Sequence, residues 1–156
     1  MEKKPTTTLP PKVAEVELVY TAKVKAADQP TLTSSRDAYE LLRGSWEEGK
    51  MDLQESFKVL YLNQAHRVLC LYPVSSGGIT GTVADPRLIF TAALRVHAVA
   101  LILAHNHPSG ALKPSRADEE LTQKIKGAGT FLDIKVLDHL ILSSEGYFSF
   151  ADERLL

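Results

Sequence analysis

The stretch His105-Asn106-His107-Pro108-Ser109-Gly110-Ala111-Leu112-Lys113-Pro114-Ser115-Arg116-Ala117-Asp118 follows directly on the apolar run Val99-Ala100-Leu101-Ile102-Leu103-Ala104. An uninterrupted apolar run of that length fits a strand buried on both faces, as in sheets that carry helices on either side. His105 and His107 sit where the strand emerges. Side chains two apart on a strand point the same way, so both imidazoles aim at one point while Asn106 faces away. Pro108, Gly110 and Pro114 then rule out regular structure. A helix is predicted from Ser115 to about Lys126, because Ser115 and Asp118 have the Ser-x-x-Asp spacing of a capping box.

Taken alone, Ser-x-x-Asp is a helix opening. Placed one short loop after His-x-His, it also brings a carboxylate beside two imidazoles. Two imidazoles and one carboxylate are a ligand set used by catalytic zinc, which keeps a position for water, whereas structural zinc is closed by four ligands rich in thiolate. The chain has one cysteine, Cys70, which excludes an internal disulfide. Its setting in Arg67-Val68-Leu69-Cys70-Leu71-Tyr72 predicts ordinary packing in a strand.

His-x-His, seven residues, then Ser-x-x-Asp resembles the signature of the JAMM, or MPN-plus, metalloprotease domain (the JAB family). The wording His105-Asn106-His107-Pro108-Ser109-Gly110, with Pro114-Ser115-Arg116-Ala117-Asp118 after it, looks like the bacterial RadC-like branch. The similarity runs from about Met51 to Asp152. It includes the Glu-x-Phe-x-x-Leu-x-Leu-Asn segment from Glu55 to Asn63 and the Leu-Asp-His-Leu-Ile-Leu run from Leu137 to Leu142. The resemblance implies one zinc ion per chain bound by His105, His107 and Asp118, Glu55 as the acid/base, and Ser115 as a hydrogen-bond donor in the transition state. It also implies an α/β fold, a mixed central sheet flanked by helices, similar to the cytidine-deaminase-like fold.

Nothing in the local sequence marks Glu55 as catalytic, since a glutamate at a strand start is usually solvated. The chemistry asks for one more group. Hydrolysis at zinc needs a base to take a proton from water and return it to the leaving amine. Within the motif Asp118 is already a ligand, and Glu119 and Glu120 lie on other faces of the helix. Ser115 is asked for two jobs, cap and oxyanion donor, and one hydroxyl does both only if its proton points at the substrate.

Strands and helices alternate along the rest of the chain. Val13 to Val24 is a predicted first strand with Val16, Leu18 and Tyr20 on one face. A helix capped near Ser35 runs to Trp46 with Tyr39, Leu42 and Trp46 in one stripe. Strands at 57–62 and 68–72 are joined as a hairpin through 63–66, which leaves His66 at a solvent-facing turn. The glycine-rich stretch 73–82 lacks the signatures of a phosphate loop and is expected as a loop and strand near the cleft. Asp85-Pro86 opens a helix that His97 ends. Strands are expected at 134–137 and 139–142, then a turn at Glu145-Gly146 into 147–150. Asp138 and His139 are either a structural hydrogen-bonded pair or an outer contact that orients a metal ligand.

At 156 residues, 44% hydrophobic and 24% charged, the composition fits one globular domain over 13–156, with the motif-bearing core at 51–152, behind a polar arm over 1–12. No segment has the length of a membrane span, and the polar start is no secretory signal, so a cytoplasmic location is the expectation. The letters His-Asn-His do not make an HNH nuclease, whose three residues are separated. A nucleobase deaminase needs a Pro-Cys-x-x-Cys pair that is absent. A non-haem iron oxygenase uses the same ligand set but is usually built on a β-barrel, which a helix carrying Asp118 fits poorly. The remaining alternative is a non-catalytic or DNA-associated RadC-like module with a role in DNA repair. Full-length RadC-like proteins carry an upstream helical region, but residues 1–50 show no helix-hairpin-helix pattern. With 18 basic against 19 acidic side chains there is no basic stripe. The expected partner is therefore a peptide or protein substrate, with nucleic acid and membrane not expected for this chain alone.

Overall fold

A computed structural model describes residues 12–17, 19–78 and 81–156. Among the described residues five strands form one mixed sheet: β1 (Ser56–Leu62), β2 (Val68–Ser76), β3 (Ala100–Asn106), β4 (Lys135–Leu142) and β5 (Tyr147–Ser149). Their order is β2-β1-β3-β4-β5. Only β3 and β4 run parallel; the other neighbours are antiparallel. The described α-helices that cover the sheet are α1 (Ser35–Ser45), α2 (Pro86–Arg95) and α3 (Arg116–Phe131). This is the mixed α/β architecture expected of a JAB/MPN domain.

Alternation along the central strands explains the layers. Leu60, Leu62, Ala100, Ile102 and Ala104 pack with Ala38, Leu42 and Trp46 of the α1 segment. Val59, Tyr61, Leu101 and Leu103 face the other way, onto Ile89, Phe90 and Ala93 of α2 and Ile125 of α3. β3 is therefore buried along its whole length. Each helix opens on a cap: Ser34 accepts from the Asp37 amide, Asp85 from the Arg87 amide with Pro86 in the first turn, and Ser115 from the Asp118 amide.

Several boundaries differ from the sequence reading. The described residues of 13–24 form no strand, and Val16 and Tyr20 are exposed. Alternation supplies a face, but a strand also needs a neighbour to bond, and the ladders use other edges. Leu18 and residues 1–11, most of the predicted arm, lie outside the described residues. α3 runs to Phe131, past the expected end near Lys126. α2 ends at Arg95, which leaves His97 beyond it in the left-handed region.

The segment expected as two strands around Asp138 is one strand, β4, with a bulge. Leu101 pairs with Val136, yet the next residue, Ile102, pairs with Asp138. The extra residue shifts the phase. Val136 packs on the α2/α3 side, whereas Leu140 and Leu142 pack on the α1 side although all three are even-numbered. Such insertions re-aim side chains.

Candidate metal centre

β1 and β3 are antiparallel with Phe57 opposite His105, so the start of β1 and the end of β3 share one rim of the sheet. That pairing brings Glu55, fifty residues upstream in the chain, beside the histidines. α3 begins at the same rim because the loop 107–115 is short and tightly folded. The His107 amide donates to Leu142 O at 2.9 Å, and the Gly110 amide donates back to His107 O at 3.0 Å. Gly110 has φ +84°, which a side chain would strain.

His105, His107 and Asp118 come together. His105 Nε2 lies 3.0 Å from His107 Nε2 and 3.2 Å from Asp118 Oδ1, and His107 Nε2 lies 3.5 Å from Asp118 Oδ2. Ligands placed tetrahedrally at zinc bond lengths of about 2.0–2.1 Å stand about 3.3 Å apart, and the spacings from His105 Nε2 to His107 Nε2 and to Asp118 Oδ1 match that value. The far nitrogens are occupied. His107 Nδ1 lies 2.8 Å from Ala111 O, an acceptor only, which puts its proton on Nδ1 and leaves a lone pair on Nε2. His105 Nδ1 lies 2.8 Å from His139 Nε2. His105, His107 and Asp118 form a group that could bind a metal.

Without the ion, Asp118 and the rings face one another directly. Burial raises the Asp118 pKa, but the contacts with His105 and His107 and the Ser115 amide outweigh it and hold the carboxyl well below its ordinary range. The hydrogen bond to Asp118 raises the His107 pKa against the opposing effect of burial. Such mutual shifts are common where charged ligands wait for a cation.

Glu55 is half-buried in a cleft of about 520 Å³ whose walls also include Thr82, His107, Lys113, Ser115 and Asp118. Its amide donates to Gly78 O at 3.1 Å and its carbonyl accepts from the Gly77 amide at 2.7 Å. A Cβ on Gly77 would stand 2.1 Å from Gly81 O, so this crossing of chains admits only glycine. Burial raises the Glu55 pKa; His105 and His107 pull it partly back. Ser115 lies at the same wall, with its amide and hydroxyl both donating to Asp118 Oδ2, at 2.7 and 2.8 Å. In this arrangement the hydroxyl proton is turned to the Asp118 carboxylate.

Three further residues bear on the site, of which sequence gave a role only to His139, as half of a structural pair with Asp138 or as an outer contact. Asn106 points away from the histidines, as alternation predicts, but into buried contacts. Its Oδ1 accepts from the Ser56 amide at 2.8 Å, and its Nδ2 donates to Met51 O at 2.8 Å and Gln54 O at 2.9 Å. It thus fastens the turn that delivers Glu55. An amide closing an apolar strand was the available signal, since buried polar groups find partners. Thr122, one helical turn after Asp118 and so on the same face, donates to Asp118 O at 2.6 Å. His139 lies fully buried between Phe57 and Phe150, where burial pushes its pKa down and keeps the ring neutral. Asp138 does not bond that ring. Its carboxylate takes the His139 amide at 2.7 Å, the Ala151 amide at 3.0 Å and the Ser149 hydroxyl at 2.6 Å. His66 and His97 are exposed and lie outside the group, and Cys70 is a free, half-buried cysteine in β2.

Fold and site together define a mixed α/β domain with a His-His-Asp group at one rim of its sheet. The chain belongs to the family described as the RadC-like JAB domain, which it matches over residues 32–155. It is similar to a UPF0758 protein of Flavobacterium johnsoniae, 48% identical over 124 residues, covering 80% of this chain and 53% of that protein. A UPF0758 protein of Leptothrix cholodnii is 42% identical over 144 residues, covering 92% of this chain and 64% of the relative. One of Porphyromonas gingivalis is 45% identical over 128 residues, with 81% and 55% covered. The chain therefore spans between 53% and 64% of the length of these curated relatives, whose shared name states no activity. No described helix is long and apolar enough to cross a membrane.

Proposed function

We propose that this chain is a zinc-dependent hydrolase of amide bonds, a peptidase or isopeptidase holding one zinc ion through His105, His107 and Asp118. The observation that carries the reading is the convergence of His105 Nε2 with His107 Nε2 at 3.0 Å and with Asp118 Oδ1 at 3.2 Å, beside a cleft that contains a separate carboxylate, Glu55. When bound, zinc supplies a Lewis acid that polarises a carbonyl and acidifies water. Glu55 takes a proton on its carboxylate and returns it to the leaving amine. A pKa raised by burial suits it to hold that proton between the two steps. Ser115 turns its hydroxyl from Asp118 Oδ2 into the cleft to donate to the oxyanion, a contact that typically contributes about 3 kcal/mol.

A protein substrate is favoured over nucleic acid because 18 basic and 19 acidic side chains supply little of the cationic contact that releases counterions from DNA. β2 is an edge strand whose last residue, Ser76, pairs with Ser56 next to Glu55, so its outer edge offers backbone groups to an extended peptide.

Elemental analysis of purified chain tests the reading. About one zinc per chain is expected, lost in His107→Ala. Glu55→Ala keeps the metal while hydrolysis of a peptide or isopeptide panel falls on the order of 10² to 10⁴. Wild-type protein that neither carries nor takes up zinc overturns the proposal. Zinc lost with Glu55→Ala makes Glu55 a fourth ligand and the site closed and structural.

A further inference from the structure

Resting on the zinc reading above, we infer that His139 and Thr122 are positioning residues which fix the ring of His105 in the one tautomer able to bind metal and tie it to the helix that carries Asp118. The direction of every bond follows from a single backbone atom. Asp118 O is a carbonyl and can only accept, so the Thr122 hydroxyl 2.6 Å away gives it its proton. The hydroxyl oxygen is then free to accept from His139 Nδ1, also at 2.6 Å. A neutral imidazole has one N–H, so a proton on His139 Nδ1 leaves its Nε2 as an acceptor. That Nε2 is 2.8 Å from His105 Nδ1, which must donate. His105 Nε2 is left with a lone pair, and it is this atom that faces His107 Nε2 and Asp118 Oδ1.

The chain of bonds starts at one ligand residue, Asp118, and ends at another, His105. Both intervening side chains are fully buried, so water does not compete for these bonds. The packing is arranged for it. The bulge in β4 places His139 opposite Leu103, on the α2/α3 side with His105. Phe150 stacks on the His139 ring at 4.8 Å, and Phe57 stacks on His105 at 5.9 Å, which limits rotation of both rings. Outer partners of this kind raise ligand basicity and hold ring orientation.

Thr122→Val keeps the shape of the side chain and removes both bonds. His139→Phe keeps an aromatic ring between Phe57 and Phe150 but removes the acceptor. Each should weaken zinc binding by about 10- to 100-fold in chelator competition, as is typical for outer-contact residues, and Thr122→Ser should restore it. The second readout needs no metal: ring ¹⁵N shifts of the metal-free chain should report His105 protonated at Nδ1 in wild type and a mixture of tautomers in Thr122→Val. If Thr122→Val melts earlier while zinc affinity and the His105 tautomer stay unchanged, the two residues are only core packing and the inference is overturned. A wild-type His105 with no proton on Nδ1 overturns it as well. Should wild type bind no zinc, the hydrolase reading fails, while the tautomer still decides the relay.

Discussion

Two helices of this chain open on Ser-x-x-Asp, and their surroundings differ. At α1, Asp37 Oδ2 accepts from the Thr33 amide at 2.8 Å, the Thr33 hydroxyl at 2.7 Å and the Ser34 amide at 3.1 Å. At α3, Asp118 Oδ2 accepts from the Ser115 amide and hydroxyl at 2.7 and 2.8 Å. Both are complete capping boxes. In each, the cap consumes one carboxylate oxygen. The other oxygen decides the chemistry: Asp118 Oδ1 meets His105 at 3.2 Å, while Asp37 Oδ1 has no side-chain partner among the described residues. A capping box is thus a way of aiming a carboxylate, and what the aim reaches is set by the strand opposite.

The largest test of that difference exchanges each aspartate for asparagine, which still caps a helix. Asp118→Asn should lower zinc affinity by about two to three orders of magnitude, one ligand's share of a binding free energy on the order of 10 kcal/mol or more. Asp37→Asn should leave zinc affinity unchanged. Chelator competition on both variants reads this directly, and full metal retention in Asp118→Asn with early melting would reduce both boxes to caps.

The next effect concerns the strand. Asn106→Leu leaves the Ser56 amide and the Met51 and Gln54 carbonyls without their partner, a loss of about 3 kcal/mol by denaturant unfolding. A loss under about 0.5 kcal/mol would show that the Glu55 turn is held by other contacts.

The smallest effect is a pH dependence. Glu55 has a folded pKa above its usual 4.5, so the folded state carries an unfavourable carboxylate once pH exceeds that raised value. Below the usual value both states are protonated and no difference remains. Glu55→Gln should therefore stabilise the metal-free chain at neutral pH, by less than about 1 kcal/mol for a half-exposed group, and the gain should fade as pH drops. Urea titrations across pH check the sign; a destabilised Glu55→Gln at neutral pH would mean that the carboxylate is favoured in place.

The His-His-Asp group was legible because its three members lie within one strand end, one loop and one helix start, where spacing and geometry are nearly the same thing. Glu55 was not: it reaches the site through the antiparallel pairing of β1 with β3, which no local pattern encodes, and it was singled out by chemical need and family likeness. Asn106 was read correctly as facing away, yet its partners at 51–56 were invisible without the fold. The strand expected at 13–24, absent among its described residues, shows the reverse failure, an alternating pattern with no ladder to join. For His139 the sequence left two readings open, a structural pair with Asp138 or an outer contact, because the bulge that sets its face is not visible in the spacing.

That bulge behaves like a change of reading frame. Were Leu137 paired with Ile102 in an unbroken ladder, every side chain from Asp138 to Leu142 would exchange faces. The Asp138 carboxylate would then enter the aromatic pocket beside His105, and the imidazole would go to the α1 side with Ile102. The same letters, Leu-Asp-His-Leu-Ile-Leu, would then hold an anion where they now hold a neutral ring. In this strand pairing register, as much as residue identity, sets the charge behind His105.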